Sequence, residues 1–396
     1  MTKGRRHGGD LRAASKLAVE ATRSVTTVIE DMHRTLASGP ALLGSPLALP
    51  ARALTALVYG HIRGVTGLVG AGLDLLLAQL EPLLGESAPG PQREAVLSVL
   101  NGVVGDYLAA TKNPLAIEME LRTRGQPLPL ETTELRRLLP HATGKLLVLV
   151  HGSSMSDLGW RRAGHDHGEA LARDLGFTPV HVRYNSGLHI STNGRELAEK
   201  LEQLVSLWPT EVVEVSFLGH SMGGLVVRSA CHVATKEGLR WRTNVRRLLS
   251  LGTPHHGSPL ERGGNIIEGL LGAVTYSAPL ARLAQIRSRG VTDLRFGNVL
   301  DEDWADGASR KDDRRAGAPL PEGVDCYAIA GTTAKVMRAK LPGDGLVPVD
   351  SALGRHRQGG LTLRFPEEHQ WIALGAGHLE LLSSPAVYQR IRTWFA

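Results

Sequence analysis

The chain has 396 residues, 42% of them hydrophobic and 21% charged, which excludes global disorder and leaves room for more than one domain. Lys and Arg total 45 against 39 Asp and Glu, a formal charge of +6. That excess is spread along the chain, too diffuse for a nucleic-acid surface, so no nucleic-acid partner is expected.

Apolar positions between Leu11 and Leu36 recur at steps of mostly three or four, which predicts an amphipathic helix. A second helical region over about residues 51–84 carries Gly60, Gly64, Gly67, Gly70 and Gly72, a composition suited to close helix packing or to a break. A third helix is expected over about residues 92–110, stopping near Asn113 and Pro114. Gly125-Gln-Pro-Leu-Pro129 reads as a linker. Residues 1–140 therefore form an expected N-terminal helical region, suited to packing, homo-oligomerisation or docking on a membrane surface. No apolar leader follows the basic start, and no run of about 18 uncharged apolar residues occurs, so a cytoplasmic location with at most peripheral membrane contact is expected.

From Lys145 the pattern changes to short apolar runs alternating with helices. Strands are expected at residues 146–150, 180–184, 212–218, 247–251 and 326–330. Helices are expected at 169–175, 195–207, 223–233 and, at the end of the chain, 381–395. Such alternation predicts an α/β fold, a mainly parallel sheet with helices on both faces, over residues 141–396. Residues 257–323 show no strand pattern and read as a helical cap insertion, with helical stretches at 266–271 and 280–286 and a charged loop at 301–315.

The strongest chemical signal is Gly219-His220-Ser221-Met222-Gly223-Gly224, a G-x-S-x-G between an apolar strand and a helix. A strained strand-to-helix turn of this kind lifts the Ser221 hydroxyl out of the sheet. The hydroxyl is a weak nucleophile and needs a base, and the base needs an orienting carboxylate. Asp344 lies in the Gly-flanked loop Gly343-Asp-Gly-Leu-Val-Pro348, and His378 in Gly375-Ala-Gly-His378, both downstream of the serine. Asp350 and Asp325 stand as alternative acids, and His356 and His369 as weaker bases. An oxyanion hole needs two backbone N–H groups. Met222, directly after the serine, and Ser153, in the loop after the first core strand, are the expected donors. His151, His220, Tyr184 and His255 are expected around the substrate pocket.

Lys145 to the C-terminus resembles the α/β-hydrolase superfamily, close to the lipase/esterase group that includes GPI inositol-deacylase-like proteins. The resemblance rests on His151-Gly152, the Ser221 elbow, Leu251-Gly-Thr-Pro-His-His-Gly257, the Asp344 loop and Gly377-His378. It implies a carboxylic-ester hydrolase with an ester or lipid substrate and no cofactor. Acyl transfer, polyester or lipid hydrolysis at a membrane surface, and a non-catalytic interaction role remain as alternatives. Gly164-His-Asp-His-Gly168 reads as a helix start, with no metal expected. Cys231 and Cys326 support neither a disulfide framework nor a Cys-based zinc site, and Cys231 reads as a buried apolar residue.

Overall fold

A computed structural model describes residues 90–258, 288–305 and 315–396. The expected helices before residue 90, the helical stretches at 266–271 and 280–286, and most of the charged loop lie outside these residues. The described elements, in chain order, are α1 (Pro91–Ala110), β1 (Glu120–Thr123), β2 (Gln126–Pro127), α2 (Thr132–Leu138), β3 (Lys145–Val150), α3 (His167–Leu175), β4 (Thr178–Arg183), α4 (Ile190–Leu207), β5 (Glu214–His220), α5 (Met222–Glu237), β6 (Val245–Leu251), α6 (Arg289–Phe296), α7 (Glu302–Ala305), β7 (Asp325–Thr332), α8 (Val349–Ala352), β8 (Gln370–Leu374) and α9 (Pro385–Phe395). The strands form one eight-stranded sheet in the order β2-β1-β4-β3-β5-β6-β7-β8. β3 to β8 pair in parallel, and β1 joins β4 antiparallel.

Alternation along the parallel strands explains the layers. Leu146, Val148 and Val150 of β3 enter one buried cluster with Val180, Val182, Phe217 and Leu248, while Leu147 and Leu149 enter a second with Leu218, Leu249 and Ile329. The first cluster is closed by Leu197, Leu201 and Leu204 of α4 and by Leu225, Val226 and Ala230 of α5. The second is closed by Leu171 of α3 and by Val387, Ile391 and Phe395 of α9. Strands covered on both faces need near-continuous apolar runs, which is why β3 and β5 were legible as strands.

The organisation before residue 140 differs from expectation. The Gly125–Pro129 stretch is not a linker. Arg124 (φ 49°) and Gly125 (φ 76°) form a tight left-handed turn between β1 and β2. Pro127 is tolerated there because β2 lies at the edge of the sheet. The described residues from Glu94 onward fall in one compact unit that contains the whole sheet, so the expected boundary near 140 lies inside that unit. Among the described residues no helix is long and apolar enough to cross a membrane.

Candidate active site

Ser221 sits between β5 and α5 with φ 52° and ψ −123°, a conformation that costs a non-glycine residue about 1–3 kcal/mol and persists only where the surroundings enforce it. Its N–H donates to the Leu251 carbonyl at 2.8 Å, which ties the elbow to the end of β6. Close packing forces glycine beside it. A side chain at Gly223 would put its Cβ 2.0 Å from the Val150 carbonyl oxygen, and one at Gly224 would lie 2.1 Å from Thr253 Oγ1.

Asp344 and His378 meet at the same end of the sheet. His378 Nδ1 and Asp344 Oδ2 are 2.7 Å apart, with the carboxylate fully buried and the histidine nearly so. The other carboxylate oxygen accepts from the Leu346 and Val347 N–H groups at 2.9 and 2.8 Å, and the His378 N–H donates to the Asp344 carbonyl at 3.0 Å. The acid is thereby aimed at Nδ1, leaving Nε2 as the free ring nitrogen of His378. Gly252 joins the two halves of the site. It follows Leu251, which holds Ser221, and a Cβ on it would lie 3.0 Å from Asp344 Oδ2 and 3.2 Å from His378 Cε1.

The alternatives lie elsewhere. Asp350 is exposed, 3.7 Å from Arg355. Asp325 opens β7, at the opposite end of the parallel strands from Asp344. His369 precedes β8, its ring 3.2 Å from the Cys326 carbonyl, and His356 lies against the His256 ring.

Ser153 and Met222 are both buried next to the elbow, in the loop after β3 and at the start of α5. His151 stacks on Tyr184 with ring centroids 4.4 Å apart, and the Tyr184 hydroxyl donates to the His151 carbonyl at 2.8 Å. Burial pushes the His151 imidazole down to about 4, so the ring is neutral. His220 Nε2 donates to the His378 carbonyl at 3.1 Å, and burial holds this ring well below the ordinary histidine range. One polar atom of each of these three residues bonds backbone, while His151 Nε2 and His220 Nδ1 are buried without a hydrogen-bond partner among the described residues. His255 is placed apart from them, 3.2 Å from Arg228, in a cavity that none of Ser221, Asp344 and His378 lines.

In the 164–168 cluster, the Asp166 side chain caps α3 by accepting from the Glu169 N–H at 3.0 Å. His165 and His167 bond each other at 2.8 Å, and His167 Nε2 donates to the Leu381 carbonyl at 2.9 Å. Among the described residues no group of three or more His, Cys, Asp or Glu could hold a metal ion.

Sequence reasoning missed the contribution of α1. Its backbone lies directly on the loops after β3 and β4. A Cβ at Gly102 would fall 2.0 Å from Ser154 Oγ, and one at Gly105 would fall 1.9 Å from Asn185 Oδ1. Asn185 Nδ2 donates to the Gly105 carbonyl at 2.9 Å, beside a non-helical kink at Val104. Ser186 Oγ in turn accepts from the Ser154 N–H at 2.9 Å, so α1 helps shape the loop that carries Ser153. The available signal was Gly102 and Gly105, three residues apart in a predicted helix.

Residues 141–306 match the family described as a PGAP1-like alpha/beta domain. The core is an α/β fold, a mainly parallel eight-stranded sheet with helices on both faces. The matched segment contains Ser153, Ser221 and Met222, while Asp344 and His378 lie beyond it. No curated protein matches the chain. Among solved structures, it is similar to the mature lipase BlEst2 of Bacillus licheniformis, with 17% identity, 70% of this chain and 98% of that one covered, and a TM-score of 0.43. A lipase-esterase related protein from Clostridium acetobutylicum is 14% identical, with 64% of this chain and 95% of that one covered and a TM-score of 0.35. An esterase from Pyrococcus furiosus is 14% identical, with 64% and 80% covered and a TM-score of 0.36.

Proposed function

We propose that this hydrolase core cleaves carboxylic esters through an acyl-enzyme, with Ser221 as nucleophile, His378 as general base and Asp344 as the carboxylate that orients it. The observation that carries the reading is the buried 2.7 Å contact between His378 Nδ1 and Asp344 Oδ2 beside a serine held at positive φ. Asp344 fixes the tautomer with the proton on Nδ1, which leaves Nε2 basic. Ser221 Oγ attacks the ester carbonyl carbon as its proton passes to His378 Nε2. The resulting oxyanion is met by the backbone N–H groups of Ser153 and Met222. Collapse expels the alcohol, which takes the proton from His378, and the acyl group remains on Ser221. Water then repeats the sequence in reverse, releasing the carboxylic acid.

A fluorophosphonate probe combined with p-nitrophenyl ester turnover tests the assignment. The wild-type chain is expected to form one phosphonyl-serine adduct, with fluoride as leaving group, located at Ser221. Ser221→Ala is expected to lose the adduct and at least ~10⁴-fold in kcat while unfolding at the same urea midpoint. Labelling at another residue, or full turnover in the folded variant, contradicts the assignment.

A further inference from the structure

Gly252 abuts the Asp344–His378 pair, but three residues later the chain enters a different chemical environment. His255 is 1% exposed, and its Nδ1 lies 3.2 Å from Nη1 of Arg228. A guanidinium can only donate, so Nδ1 must accept and the ring proton sits on Nε2. That Nε2–H is buried and has no partner among the described residues. Arg228, on α5, is 3% exposed. Its Nη2 donates to the Ala318 carbonyl, and its Nε is a second buried donor without a partner among the described residues.

The charge on Arg228 is offset only at a distance among the described residues, by Asp303. Burial and the neighbouring Arg315 push its pKa down only to about 10, so it is charged at neutral pH. Among the described residues no carboxylate lies at ion-pair distance from it. Asp303 is nearby, but its oxygens accept from the backbone N–H groups of Val299, Leu300 and Ala316 at 2.8, 2.9 and 2.9 Å. Arg228 and His255 line a cavity of about 460 Å³ together with Arg315, Arg364 and His256, and among the described residues Glu322 is the one lining carboxylate. Buried charges are ordinarily paired, and buried donors ordinarily bonded. Here a buried guanidinium and the imidazole beside it, each with one unpartnered N–H among the described residues, line a space large enough for a small anion.

We propose that this cavity binds a phosphate oxyanion, free or as a phosphomonoester, with Arg228 as its counter-charge and the His255 Nε2–H as a hydrogen-bond donor. Several arginine and histidine donors around one cavity suit a tetrahedral anion with several acceptor oxygens. The inference does not depend on ester hydrolysis, because the proposed nucleophile, base and acid do not line the cavity.

Isothermal titration calorimetry on the full chain, at fixed ionic strength in a phosphate-free zwitterionic buffer, tests it. Inorganic phosphate is expected to bind saturably with a Kd on the order of 1 mM or tighter and to raise the Tm, whereas chloride and acetate give no saturable heat. sn-Glycerol 3-phosphate separates the two sources: tighter binding than phosphate points to a head group, weaker binding to the free ion. Arg228→Gln is expected to weaken phosphate binding at least ~10-fold. Should that variant not fold, Arg228→Lys keeps the charge but loses the planar fork, and His255→Phe removes the Nε2–H donor; each is expected to weaken binding. An absent or acetate-equal signal in the wild type overturns the proposal, as does unchanged affinity in both Arg228→Lys and His255→Phe.

Discussion

Substitution of Gly105 by alanine probes the packing of α1 on the site loops. The new Cβ would lie 1.9 Å from Asn185 Oδ1, about 1.5 Å inside ordinary contact distance. The Asn185 side chain cannot simply swing away. Its Nδ2 bonds the Gly105 carbonyl, and its Oδ1 accepts from the Gly187 N–H at 3.0 Å. Relieving the clash breaks at least one of these buried bonds, which costs roughly 1–3 kcal/mol, with overpacking adding about 1 kcal/mol or more. The helical preference for alanine over glycine returns up to about 1 kcal/mol. A net loss of roughly 1–3 kcal/mol is therefore expected in urea-monitored unfolding, together with a lower kcat on short p-nitrophenyl esters as the Ser153 loop shifts. Gly359→Ala is the control: nothing lies within 4 Å of its Cβ, and a change within about 0.5 kcal/mol is expected. If Gly105→Ala is as stable and as active as the wild type, the reasoning that α1 braces the loops is wrong.

Asp344→Asn presents an amide to His378 Nδ1 and favours the wrong tautomer. A kcat loss of about 10⁴-fold is expected with little change in KM, whereas Asp350→Asn, at an exposed site, stays within about twofold; the reverse ranking would move the acid to Asp350. Acid also selects against the fold. His151 and His167 are neutral in the folded chain, their imidazoles pushed down to about 4 chiefly by burial, while the unfolded chain titrates near 6.5. Between those values the unfolded state holds more protons, so stability is full above about pH 6.5 and falls as pH drops toward 4, by up to about 3 kcal/mol per ring. Urea midpoints at pH 7.5, 6 and 5 should decline in that order, and His167→Gln should flatten the slope. A midpoint independent of pH across this range refutes the account.

The core strands and the elbow were legible because their signals are local. β3 carries Leu-Leu-Val-Leu-Val, and the elbow's glycines are required by contacts with strand ends that any such turn must make. Asp344 and His378 were legible as loop residues after apolar runs, but that Asp344 lies against the His378 ring while Asp350 is exposed beside Arg355 is visible only in three dimensions. β1 was not legible. Four residues, Glu-Leu-Arg-Thr, followed by Arg-Gly-Gln-Pro, give too short an alternation to distinguish an edge hairpin from a linker.

The even spread of charge and the ordinary hydrophobic content determine only a folded chain with room for more than one domain. The order of apolar runs and turns then determined a parallel sheet with a serine at a strand end, since burial on two faces and a sharp turn each impose their own residue pattern. Two matters were decided by tertiary structure alone. One is the seating of Gly102 and Gly105 on the loops that flank Ser221. The other is the placement of His255 against Arg228, 27 residues earlier in the chain, in a cavity that Asp344 and His378 do not line. Both depend on contacts between segments far apart in sequence, and the identity of a residue carries no record of which distant neighbour it will meet.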